Sequence, residues 1–301
     1  MTLMDPRAIR IRFWGVRGSC PSPGPDTAGV GGNTSCVEVR LGSQRLVLDG
    51  GTGLRELGRT VSGPVEMALL FSHVHWDHIQ GVPFFAPLFN PASELTVVGA
   101  TGSGSCASIR EALDRQMIGP NFPVDLGQVA ARLRFVEVEP SEPFELGGLR
   151  VRAAALNHPN GVMAYRLEAG GRSLVYATDT EHYPDRVDES LVELARDADV
   201  LIYDAQYTPG EYSGCGGCSR VGWGHSTWLE GVRVARAARV GRLVLFHHDP
   251  THDDHTVAEI ERSAAEQLPG TIAAREGLEL ALPIGTATRR KQARADSVPP
   301  L

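Results

Sequence analysis

Short apolar runs alternate with turn signals and a few amphipathic stretches along this 301-residue chain. "CVEVRL" and "RLVLD" flank Gly42-Ser43-Gln44, a pattern that predicts a β-hairpin. "VEMALLF" is a compact apolar run that stops at Ser72. Helical periodicity is expected over roughly 105–117, followed by the strand-like "LRFVEV" and "LRVRAAAL". "MAYRLEAGGRSLVYAT" reads as two strands around Gly170-Gly171, a second hairpin. "ESLVELARDA" is helical and leads into the strand "DVLIYD". After "GWGHST" a helix is predicted with Trp228, Val232 and Ala235 on one face, and "RLVLF" is a further strand. Thr256 and Glu259 have capping-box spacing at the start of a last helix.

This alternation predicts an α/β class, with strands and helices in two comparable halves dividing near residues 145–165. One domain over residues 1–287 is expected, and the tail from 288, "TRRKQARADSVPPL", lacks apolar periodicity and is expected to be disordered. The hydrophobic share of 42% can fill a substantial core. A net charge of −7 argues against a dedicated nucleic-acid binder and favours a small-molecule substrate. "MTLMDPRAIR" has no apolar signal region and no stretch is long enough to span a membrane, so the default expectation is a cytoplasmic protein with no membrane partner. Five cysteines, an odd number, do not make a disulfide framework.

The chemistry concentrates in "SHVHWDHIQG", which places His73, His75, Asp77 and His78 directly after an apolar strand. Imidazoles spaced by two with a carboxylate suit a borderline metal such as zinc. Four donors so close cannot all reach one tetrahedral ion, so the cluster suggests two. Further ligands then have to come from elsewhere. His158 follows "VRAAALN", Asp179 follows "LVYAT" and His247 follows "LVLF", each just past a β-run. Strand ends on one side of a sheet converge on one edge, where ligand sites form. His225 stands apart from these. It is a further candidate ligand or proton donor, or else incidental to a helix start capped by Thr227 and Glu230. Cys215 and Cys218 form a lone CxxC, which fits a redox pair, half a zinc site or a flexible loop.

These residues resemble the metallo-β-lactamase fold superfamily, with its HxHxDH signature and later His, Asp and His motifs, over about residues 10–285. The resemblance implies a four-layer αββα sandwich with two metal ions at the sheet edges. By motif, His73, His75 and His158 would hold one ion. Asp77, His78 and His247 would hold the other, with Asp179 bridging and His248 a less favoured substitute for His247. Zinc is expected, with manganese or iron also compatible. True β-lactamases of this fold have a cysteine where Asp179 stands, and flavodiiron proteins have glutamate where His75 stands, so neither fits.

"GWGHST" resembles the HST motif of ribonuclease Z-like phosphodiesterases, which implies that Asp204 orients His225 and that His225 donates a proton to the scissile phosphate. Asp77 joins these two among the expected catalytic residues. Ribonuclease Z of the common bacterial form inserts a tRNA-gripping arm between the third and fourth metal motifs. Here residues 159–178 leave room only for a hairpin, so tRNA is not the expected partner. "FWGVRGSCPSPGP" and "LDGGTGLREL" resemble a bacterial branch that includes cyclic-nucleotide phosphodiesterases, and in it Asp49 would fix a ligand histidine. The expected substrate is a small cyclic phosphodiester. The alternatives are a glyoxalase II-like thioester or lactone hydrolase, a ribonuclease Z-type nuclease and a non-enzymatic sensor. A cysteine-bound zinc in a related phosphodiesterase suggests a structural zinc on Cys20, Cys215 and Cys218. A homodimer is also in keeping with relatives of this kind.

Overall fold

The computed structural model describes residues 8–101, 107–140, 142–215 and 217–284. The first sheet is built from β1 (Ala8–Gly15), β2 (Cys36–Leu41), β3 (Gln44–Leu48), β4 (Glu66–Leu70), β5 (Glu94–Ala100), β6 (Arg132–Val138) and the late strand β14 (Glu279–Pro283). The second comprises β7 (Phe144–Leu146), β8 (Leu149–Leu156), β9 (Val162–Ala169), β10 (Arg172–Ala177), β11 (Val200–Asp204), β12 (Leu243–Phe246) and β13 (Ile272–Ala273). Their spatial orders are β14-β1-β2-β3-β4-β5-β6 and β13-β12-β11-β10-β9-β8-β7. The chain passes from one sheet to the other between Val138 and Phe144, ahead of the 145–165 stretch, and returns at its end to pair β14 with β1.

Three apolar cores separate four layers. The central core joins both sheets, with Ile11, Phe13, Val39 and Leu70 from one meeting Tyr165, Leu174, Tyr176 and Phe246 from the other. Outside the first sheet, α1 (Gly53–Arg59) and α3 (Ile109–Gln116) bury Leu54, Leu57, Ile109 and Leu113. Outside the second, α4 (Glu189–Ala195), α6 (Trp228–Ala238) and α7 (Asp254–Gln267) bury Leu191, Val232, Ala235 and Ile260, and the short α5 (Pro209–Ser213) lies between β11 and α6 in the chain. Strand β4 shows why its sequence is continuously apolar. Ala68 and Leu70 face the central core while Met67 and Leu69 face the outer one, so both sides of the pleat are buried. The layers are therefore αββα.

Local chemistry explains most boundaries and corrects three. Leu41 pairs with Gln44, so the first hairpin turns on Gly42 and Ser43 alone, and Gln44 is already strand. Ala169 pairs with Arg172 across Gly170 (φ 54°) and Gly171 (φ 73°), a two-residue turn that needs both positive φ values. Ser108 caps α3 in a reciprocal box with Glu111, so this helix starts later than the expected residue 105, which itself lies among the residues not described. Asp253 caps α7, accepting from the Thr256 N–H at 2.7 Å, so Thr256 is a donor inside the first turn and not the cap. Thr227 caps α6 through the Glu230 N–H. The tail from 288 lies outside the described residues. Among those described, no helix is long and apolar enough to cross a membrane.

Candidate metal centre

Strand direction brings the polar residues together. β3 runs parallel to β4, and β10, β11 and β12 run parallel to one another. β8 and β10 are both antiparallel to β9, so their C-terminal ends share one edge. Asp49, His73, His158, Asp179, Asp204 and His247 all lie at or just past the C-terminal ends of strands. Asp49, Asp179 and His247 have φ of 59°, 50° and 61°. Such left-handed positions cost non-glycine residues about 1–3 kcal/mol and persist where the surroundings impose them. The four-residue helix α2 (Trp76–Ile79) adds Asp77 and His78 from the far side of the His75 turn.

Two ligand sets result: His73, His75, His158 and Asp179, and Asp77, His78, Asp179 and His247, in each of which the candidate donor atoms lie within 4.8 Å of one another. Asp179 belongs to both, and its two oxygens divide between them. Its Oδ2 lies 3.6 Å from His73 Nε2 and 3.7 Å from His158 Nε2, while its Oδ1 lies 3.2 Å from both His78 Nε2 and His247 Nε2. Asp77 Oδ2 lies 3.2 Å from His78 Nε2 and 3.1 Å from His247 Nε2. His158 Nε2 and His75 Nδ1 are 3.0 Å apart.

The opposite ring nitrogens are occupied. His73 Nδ1 meets Ser72 Oγ at 3.0 Å, His78 Nδ1 meets Asp49 Oδ2 at 2.8 Å, and His158 Nδ1 meets the Gly224 carbonyl at 2.7 Å. A ring that donates from Nδ1 presents an unprotonated Nε2, which is the tautomer a metal ligand needs. His73 Nε2 and His78 Nε2 are buried with no hydrogen-bond partner. Burial, with neighbouring imidazoles, holds His73 well below the usual histidine range. Burial likewise lowers His75 and His158, with nearby Asp179 opposing it in both. For Asp179, burial favours the neutral acid, but His247, His78 and His73 outweigh it and hold the carboxyl well below its ordinary value. At His78 burial disfavours charge, but the carboxylates of Asp179, Asp77 and Asp49 outweigh it and hold the imidazole well above its ordinary value. A cation there would take the place of a proton, and the converging imidazoles and ionised carboxylates fit a dinuclear metal site.

His225 stands beside this cluster. Its Nδ1 is 2.9 Å from Asp204 Oδ2, and its ring stacks on His247 with centroids 5.0 Å apart. Asp204, fully buried, also accepts from the Thr180 and Gln206 backbone N–H groups. Burial disfavours charge on His225, but Asp204, Asp179 and Asp77 outweigh it and raise its pKa to about 9. Asp204, His225 and His247 are close enough to form a ligand trio. The carboxylate is saturated with N–H donors, however, and bonds the imidazole directly, so Asp204 and His225 form a dyad.

Several positioning residues escaped sequence reasoning. Glu181 accepts from the Gly222 and Gly224 N–H groups at 2.6 and 2.8 Å and so ties down the loop that carries His225. Its one sequence signal is closeness to Asp179. Gly224 (φ 87°) could not carry a side chain, because a Cβ would come within 2.5 Å of His158 Nδ1. The Ser19 N–H donates to Asp77 Oδ2 at 2.8 Å, and Tyr176 OH donates to Asp49. His248 turns away, its Nε2 2.9 Å from the Ala274 carbonyl. Cys20, Cys215 and Cys218 are exposed free thiols, and among the described residues no cluster of three metal-ligating groups includes them.

A four-layer αββα sandwich carrying a shared-edge His/Asp cluster, in which Asp179 belongs to both ligand sets, defines a metallo-β-lactamase-fold protein whose cluster fits a dinuclear metal site. The chain belongs to the β-lactamase superfamily, whose family model, described as "Beta-lactamase superfamily domain", matches residues 44–248. It is similar to a ribonuclease Z from Thermoplasma acidophilum, 25% identical, with 83% of this chain and 89% of that protein covered. Among solved structures it is similar to the metallo-β-lactamase fold protein YhfI from Bacillus subtilis, at a TM-score of 0.68 and 20% identity, covering 91% of this chain and 99% of that one. A diphosphatase of the PhnP family has a TM-score of 0.65 at 19% identity, covering 91% and 97%. Both structural likenesses concern the fold.

Proposed function

We propose that this protein is a metal-dependent phosphodiesterase that hydrolyses a small phosphodiester, a cyclic nucleotide or another cyclic phosphate, with His225 as proton donor. The observation that carries this reading is the Asp204–His225 dyad, placed against the two ligand sets but outside them. His73, His75 and His158 would hold one ion and Asp77, His78 and His247 the other, with Asp179 between them. Zinc best suits this nitrogen-rich set, with manganese or iron compatible. When bound, two such ions supply an acidified water as nucleophile and neutralise charge on the phosphoryl oxygens.

The chain's own residues handle the leaving group. Asp204 accepts from Nδ1–H, which keeps His225 in one orientation and stabilises its charged form. The other nitrogen, Nε2, then carries a proton for the departing oxygen. An alkoxide needs that proton, whereas a p-nitrophenolate leaves without it. Thioester chemistry would not call for a dyad in this position.

The relatives named ribonuclease Z favour a second reading, cleavage of RNA. Against it, β9 and β10 are joined by only a two-residue turn where the bacterial form of that enzyme inserts its arm.

The test is His225→Ala with metal content verified. Hydrolysis of cyclic AMP, cyclic GMP and 2′,3′-cyclic nucleotides should fall about 10²- to 10⁴-fold, with a smaller loss on bis-p-nitrophenyl phosphate. Equal losses on both kinds of ester, or turnover of precursor tRNA above all small substrates, would overturn the reading.

A further inference from the structure

Trp76 is 68% exposed although His75 and Asp77, its neighbours in sequence, are both in the ligand cluster. It opens onto a hollow of about 790 Å³ lined by Val74, Trp76, Phe84, Phe122, Arg115 and Gln116, among others. Val74 also lines a smaller cavity of about 200 Å³ that touches His73 and Asn160, so the hollow shares a wall with a cavity at the metal centre. The volume lies in the range of small-molecule sites, roughly 300–1,000 Å³.

Its lining is specific in kind. Phe84, itself 56% exposed, meets Phe122 edge-to-face with centroids 5.7 Å apart. Together with Trp76 they give flat apolar faces where most of the surface is polar. Arg115 lies on the wall and makes no ion pair among the described residues, unlike Arg110, which faces Asp114 on the same helix. Gln116 donates from Nε2 to the Ile79 carbonyl, and its Oε1 is buried without a partner. Aromatic planes beside a guanidinium with no ion pair among the described residues match a ring that is flat on its faces and polar at its edge.

We infer that this hollow is the subsite for the nucleobase of a nucleoside phosphodiester, stacked on the aromatic wall and read at its edge by Arg115. The inference rests on the phosphodiesterase reading and adds where the organic arm of the substrate lies. Residues next to the ligands place that arm beside the phosphate, and Arg115 supplies a cation suited to the acceptor atoms of a base.

The experiment compares thymidine 5′-(p-nitrophenyl) phosphate with methyl p-nitrophenyl phosphate, which share a leaving group and differ in the nucleoside. The wild type should prefer the thymidine ester, and Phe122→Ala and Arg115→Ala should each reduce the ratio of kcat/KM values about tenfold, mainly through KM. Thermal melting and metal content establish that each variant is folded and loaded. A ratio unmoved in both variants overturns the subsite. So does a change of oligomeric state by light scattering without a change in the ratio, because a second copy of the chain would then cover the hollow. If the wild type hydrolyses neither ester, the phosphodiesterase reading fails, and the subsite is decided by equilibrium dialysis. Thymidine monophosphate binding more tightly than ribose 5-phosphate, with the difference lost in Phe122→Ala, supports it, and equal binding overturns it.

Discussion

Replacing Asp204 by asparagine removes one charge and little volume, and it tests the dyad directly. Asp204 Oδ2 lies 2.9 Å from His225 Nδ1, deep in the protein, and is the nearest of the carboxylates that raise this histidine to about 9 against the pull of burial. An ordinary histidine titrates near 6.5, so at pH 8 the protonated fraction would drop from about nine-tenths to about 3%, a loss of about 30-fold. At pH 6 the same arithmetic gives less than about twofold. Ions held by Asp77 and Asp179 cancel those carboxylates' share of the pull, which moves the window downward without changing the sign. The assay is kcat/KM against pH for a cyclic nucleotide, with a p-nitrophenyl ester as the substrate that needs no proton. The basic limb of the wild-type profile should shift toward neutrality in Asp204→Asn for the first substrate only. A loss independent of pH, or one equal for both substrates, would refute the charge argument. Because the folded pKa is raised, the same interaction contributes stability that is complete below about 6.5 and is lost as pH rises through about 9.

Further outcomes follow from other contacts. Gly224→Ala forces a side chain onto a left-handed position and against His158, so it should cost about 1–2 kcal/mol from the backbone alone. Metal analysis should show one ion bound less well, and unchanged stoichiometry and Tm would contradict the packing. Chelation should lower Tm, since ligand at a thousand times its Kd contributes about 4 kcal/mol, and manganese or zinc should restore it. The Glu211 carboxylate is desolvated, but its bonds to His252 and Thr208 outweigh this and lower its pKa to about 2. Its contribution is therefore present above about pH 4.3 and lost as pH falls toward about 2. As the carboxylate is 40% exposed, Glu211→Gln should cost no more than about 1 kcal/mol at neutral pH, and the gap in urea midpoints should close in acid.

What was legible in the sequence was local. Apolar runs broken by Gly42, Gly170 and Gly171 marked strands and hairpins, because period and turn chemistry are properties of neighbouring residues. The density of His73, His75, Asp77 and His78 marked a metal site for the same reason. The resemblance to a known superfamily supplied the layer order, and the structure shows that order in three separate cores. Less visible were β1, β5, β14 and α1, whose boundaries depend on partners far along the chain, as when β14 closes the first sheet against β1.

Only the tertiary structure decided which atoms meet. Nothing local says that Asp179 turns one oxygen to His73 and His158 and the other to His78 and His247. Nor does it say that Glu181 pins the loop before His225, or that Gly224 must lack a side chain because His158 lies against it. The chain alone could offer donors at strand ends, since composition and period are written in it. Their convergence depends on the direction and register of strands that pair over long distances, and that is decided when the two sheets pack.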